Sequence, residues 1–152
     1  MDQKSEKCVM ILDRTLPTGI IANTAAILGI TLGKHLPEVV GSDVKDQSGK
    51  DHLGIIEFPV PILQGSPEDI RAIREALYQP GFEDLTAVDF SDLAQQCGTY
   101  DEFQRKMAQS SESQLQYLGS PSAAQKRKST SSPAAFHCYD NGMPPVSFSS
   151  IY

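Results

Sequence analysis

The chain contains no tryptophan, only three cysteines and no basic cluster in its first 119 residues, and each shortage excludes something. Cys8, Cys97 and Cys138 are an odd set with no CxxC spacing, too few for a disulfide framework or a structural zinc site. Such usage fits a reducing, cytoplasmic setting. The chain is uncharged from Thr15 to Gly33, but Pro17 interrupts it and the part 19–33 is 15 residues long, short of the roughly 18 to 20 that a bilayer requires, so no membrane association is expected. The three histidines, His35, His52 and His137, are scattered without metal-ligand spacing, and neither a metal nor a cofactor is expected.

Charge is divided unevenly. Residues 1–119 hold 10 Lys and Arg against 18 Asp and Glu, a net of −8, whereas residues 120–152 hold 3 against 1. Nucleic-acid binders neutralise phosphates with clustered cations, so this acidic body disfavours nucleic acid as a ligand. The length suits one domain with one core, and the composition is globular up to residue 119.

Along the chain the pattern alternates between strand and helix. Residues 7–12 (KCVMIL) form an apolar, partly β-branched run ending at Asp13 and Arg14, as a buried strand does. A helix through His35 follows, with Thr18 as its N-cap, Gly19 next, a polar stripe of Thr24, Thr31, Lys34 and His35, and apolar residues over the rest. Residues 39–58 read as a hairpin turning at Gln47, Ser48, Gly49 and Lys50. Pro59 and Pro61 cannot donate to a ladder, which places this stretch at an edge or outside the sheet. Ser66 and Pro67, followed by Glu68 and Asp69, open a second helix. After Pro80 and Gly81 come a strand at 85–90, a helical turn at 92–96, and a helix capped by Thr99 and Glu102 with Tyr100, Phe103 and Met107 on one face. Residues 114–118 begin another extended run. From Ser120 the composition turns to Ser, Ala and Pro with no period, so no secondary structure is expected there.

The strings KCVMILDRTLPTGIIANTAAILGITLG, GIIEFPVPIL, VDFSDLAQQCGTYDEF and LQYLG, in that order, resemble the domain-of-unknown-function family numbered two thousand. The resemblance spans about residues 7–119 and implies a type II peptidyl-tRNA hydrolase-like α/β fold: a small mixed β-sheet flanked by helices and closed by a C-terminal strand. After YLG the family continues much like IALYGPKKKVNKLTGSLPLLR. Degenerate codons for residues 120–141, read one nucleotide earlier, permit IAICGPKKKVNKLTGSLPLLR and then a stop. A one-nucleotide slip near the codon for Gly119 is therefore expected, with 1–119 as a single α/β domain, 120–152 as a frameshifted irregular tail, and the closing strand lost. The alternative ending carries five positive charges, which would move the body from −8 to about −3 and weaken the case against nucleic acid.

Three functional readings remain open. The first is binding of an anionic small molecule or nucleotide where the first strand meets the first helix, by Asp13, Arg14, Thr18, Gly19, Asn23 and Thr24, because unpaired helix N–H groups attract anions. The competing bland reading is a capped helix beside a surface Asp-Arg pair. The second is a hydrolase of an ester or amide bond, with Asp13, Asp89 or Cys97 as candidate catalytic groups. Type II peptidyl-tRNA hydrolases carry a lysine where the resemblance puts Ile20, which can neither donate a proton nor bind phosphate. Strand-end aspartates more often cap helices, and a half-buried cysteine without a nearby histidine is more often structural. The third reading is a non-catalytic module forming a homodimer through a sheet edge or helix face.

Overall fold

A computed structural model describes residues 7–83, 85–124 and 149–150. The first strand, β1 (Lys7–Asp13), is apolar from Cys8 to Leu12 because both of its faces are covered. Met10 and Leu12 pack with Leu28 of helix α1 (Thr18–His35), while Ile11 packs with Ile70 and Ile73 of helix α2 (Pro67–Leu77). The two helices thus lie on opposite faces of one sheet. Leu12, Leu28 and Ile70 are completely buried, and each contributes about 1.5 to 3 kcal/mol by leaving water.

β4 (Ile62–Gly65) runs parallel to β1, from Met10 opposite Ile62 to Asp13 opposite Gly65. On the other side of β1 lies β7 (Tyr117–Ala124), antiparallel to it, with Leu12 opposite Gly119 and Lys7 opposite Ala124. β5 (Leu85–Ala87) and β6 (Phe90–Ser91) pair with the far side of β7, and β8 (Ser149–Ser150) pairs with β4, giving the order β5-β7-β1-β4-β8. This is the mixed α/β sheet flanked by helices that the sequence implied. Gly119 is required by close approach: a Cβ there would lie 2.6 Å from Leu12 Cδ2 and 2.9 Å from Thr24 Cγ2.

The expected hairpin is present as β2 (Val44–Lys45) and β3 (Asp51–His52), extended by a bridge between Val40 and Ile56. Gly49 takes the positive φ its turn needs, and Asp46 accepts the Lys50 amide. Helix α2 begins with a complete capping box, in which Ser66 Oγ accepts from the Asp69 amide and the Asp69 carboxylate from the Ser66 amide. The short helix α3 (Asp92–Gln95) and helix α4 (Tyr100–Gln109) also stand where the sequence put them. Thr99 caps the Glu102 amide, but the Glu102 carboxylate reaches back one residue further, to the Gly98 amide.

Four sequence expectations are corrected. Thr18 is the first helical residue rather than the cap; Pro17 occupies the cap position and offers no side-chain acceptor. Thr24, assigned to a polar stripe, is fully buried beneath Gly119. Gln64 and its neighbours form a strand that the flanking prolines hid, and the Pro61 carbonyl already accepts the Met10 amide at its threshold. Finally, the closing strand does not stop at Gly119: the backbone of residues 120–124 continues β7 between β1 and β5. The irregular character expected of residues 125–148 lies outside the described residues.

Candidate functional site

Where β1 and β4 end side by side, their following helices depart to opposite faces, which is the arrangement that opens a crevice in α/β sheets. Asp13 ends β1 there, completely buried. Its Oδ1 accepts from the Thr15 amide at 2.8 Å and the Thr15 hydroxyl at 2.7 Å, whereas its buried Oδ2 has no hydrogen-bond partner among the described residues. Arg14 turns toward α2, its guanidinium 3.9 Å from the Asp69 carboxylate. Asn23 lies with α1 and donates to Gln95 of α3 at 3.4 Å. Thr18 and Gly19 are exposed at the start of α1, and the Thr24 hydroxyl is sealed in the core without a partner. The six residues therefore do not converge on one opening. Arg14 and Asn23 are engaged by elements on opposite faces, because alternation along β1 and the split of the two helices carry them apart.

The catalytic candidates are likewise engaged singly. Asp89 holds a bond from Arg74 Nε at 2.9 Å, with both side chains mostly buried and the Arg74 guanidinium 4.1 Å from the centre of the Tyr78 ring. The Cys97 thiol donates to the Leu93 carbonyl at 3.1 Å. Burial raises the Cys8 thiol to about 11, which makes it an inert core residue. His52 sits 3.3 Å from Asp46 at the exposed hairpin turn, and His137 and Cys138 lie outside the described residues. Among the described residues, no three His, Cys, Asp or Glu side chains gather as a metal site, and no helix is long and apolar enough to cross a membrane.

A cavity of about 450 Å³ lies elsewhere, between α1 and the α3–α4 pair. Ile27 and Thr31 of α1 line one side, residues 88–91 form its floor, and Ala94, Cys97, Phe103 and Met107 close the other side. Tyr100 also lines it while being 71% exposed, which places its ring at the mouth. The sequence signal for this cavity was the face shared by Tyr100, Phe103 and Met107, which looked like a core stripe. Nothing in the sequence marked Ile27, Val88 or Ser91, whose roles depend on tertiary placement.

With the fold and both places described, comparison with known proteins adds the family. Residues 6–128 match the family described as a protein of unknown function (DUF2000). The chain belongs to that family. No curated protein matches it. Among solved structures, a protein of unknown function from Agrobacterium tumefaciens strain C58 is similar at 17% identity, covering 80% of this chain and 88% of its own, with a TM-score of 0.72. At that identity the likeness concerns the fold alone.

Proposed function

We propose that this member of the family binds a small molecule in the cavity between α1 and α4. One observation carries the reading: a hollow of about 450 Å³ with largely apolar walls and a few polar groups, within the roughly 300 to 1,000 Å³ typical of small-molecule sites. The junction of β1 and α1 supports an anion less well. There Asp13 brings a buried carboxylate with one free oxygen, and the only nearby guanidinium of the expected set, Arg14, faces Asp69.

Titration with indole tests the reading. Saturable binding to the wild type should be lost in Ala94→Phe, which fills the cavity from α3, and in Thr31→Phe, which fills it from α1. Two variants from opposite walls guard against one simply failing to fold. Equal binding by the wild type and both folded variants would overturn the assignment.

A further inference from the structure

The walls of this cavity carry more than shape. Among the described residues that line it there is no lysine or arginine, and the one charged residue is Asp89. The N-terminus of α4 opens at Gly98 and Thr99, where free amides would attract an anion. Two amides at this end are already used: Gly98 N donates to the Glu102 carboxylate at 3.0 Å, and the Glu102 amide donates to Thr99 Oγ1 at 3.2 Å. The Lys106 ammonium beside Glu102, together with the Gly98 amide, holds that carboxyl below its ordinary range, so the Gly98 amide is engaged by a carboxylate at neutral pH. Lys106 itself is bound to Glu102 at 2.8 Å, and Arg74 is bound to Asp89. An anion entering the cavity would shed water and find no cation among the described residues that line it.

The same rim offers a favourable surface to another class of molecule. Tyr100 and Phe103 form a tilted aromatic pair, with centroids 5.6 Å apart and planes at 55°. Tyr100 leaves most of its ring in water, an exposure that a third ring would relieve. Met107 adds a polarizable thioether that favours ring edges. We infer that the cavity takes an uncharged aromatic ring against the Tyr100–Phe103 pair and rejects anions. This rests on the binding reading above and specifies its ligand class.

The test uses three probes sharing one ring: indole, indole-3-acetate and tryptamine. Because the chain contains no tryptophan, indole fluorescence reports the ligand without competing tryptophan emission. Indole should bind roughly tenfold or more tighter than indole-3-acetate, and Tyr100→Leu, which keeps apolar area but removes the ring, should weaken indole several-fold, within the range expected of one aromatic contact. Tryptamine should not share the penalty of the anion. If indole-3-acetate binds as well as indole, or tryptamine is penalised equally, the charge selection is wrong. If Tyr100→Leu binds indole unchanged, the aromatic contact is wrong. Those results leave the cavity reading standing as long as Ala94→Phe abolishes binding; indifference to Ala94→Phe and Thr31→Phe would sink that reading instead.

Discussion

Up to Gly119, strand β7 carries residues that a sheet interior selects; from residue 120 onward the backbone stays in register but the residue types do not fit the place. Tyr117 and Leu118 are buried, one in the cluster beneath α2 and the other in the cluster beneath α1, and Gly119 admits α1 to within contact distance. Position 120 is equally buried, yet it holds a serine whose hydroxyl donates to the Val88 carbonyl at 3.1 Å. Opposite Met10 comes Pro121, which has no N–H to donate although β7 is flanked on both sides by strands. Backbone pairing therefore continues across a serine and a proline, residue types with little strand preference. The alternative codon reading IAICG would place β-branched residues at 120 and 122 and an ordinary N–H at 121.

The largest expected effect comes from replacing residues 120–152 by IAICGPKKKVNKLTGSLPLLR. Two restored aliphatic side chains in a central strand correspond to about 4 to 9 kcal/mol on large-to-small precedent, comparable with the roughly 5 to 15 kcal/mol of a whole domain. The replaced chain should melt higher by roughly 10 °C or more at this size. Resequencing the gene tests the slip itself. Equal melting temperature and cooperativity for the two chains would show that the second half of β7 contributes nothing through its side chains.

Much of the framework was legible because local chemistry decided it. Ser66 with Asp69, Thr99 with Glu102, and the turn at Gly49 each fix an element's end from neighbouring residues, and the apolar run of β1 could only be a strand covered on both faces. What was illegible depended on distant partners. Thr24 looked polar and exposed by helical spacing, but the absence of a side chain at Gly119, 95 positions away, makes room to bury it. The candidate site fared worse for the same reason. Proximity in sequence joined Arg14 to Asn23, whereas the sheet separates them and the cavity is assembled from α1, the strand segment at 88–91 and α4. Cys97, a candidate nucleophile by sequence, stands in a cavity wall with its thiol turned to a carbonyl.

A smaller effect probes the first half of β7 directly. Gly119→Val puts methyl groups where even a Cβ would meet Leu12, Thr24 and Leu28 at 2.6, 2.9 and 3.1 Å. All three neighbours are fully buried and have little room to shift, so overpacking of about 1 to 3 kcal/mol is expected in chemical denaturation. Ser120→Val, one residue on, should change stability less or raise it, because it removes a single hydroxyl contact and adds apolar volume. If Gly119→Val is neutral while Ser120→Val is severely destabilising, the division of the strand at Gly119 is drawn in the wrong place.

The smallest effect lies away from the strand, at the α4 end of the cavity, where pH acts on a solvent-exposed pair. The Lys106 hydrogen bond, and after it the Gly98 amide, lowers the Glu102 carboxyl below its ordinary 4.5. The stabilisation linked to Glu102 is therefore complete above 4.5 and is lost as pH falls through the lowered folded value. Lys106 is displaced the other way, raised above 10.5 chiefly by its hydrogen bond to Glu102. Its contribution is complete below 10.5 and disappears as pH rises through the raised value. Between these limits the pair and the Gly98 bond hold the α4 terminus, weakly because both side chains meet solvent. Amide exchange at Gly98, corrected for its intrinsic pH dependence, should show protection that declines as pH falls through the lowered Glu102 value, and in Glu102→Gln that protection should be reduced at neutral pH as well. Protection at Gly98 that persists unchanged to pH 2.5 would mean that the amide is sheltered by packing rather than by the carboxylate, and the electrostatic account of the cavity's rim would lose its anchor.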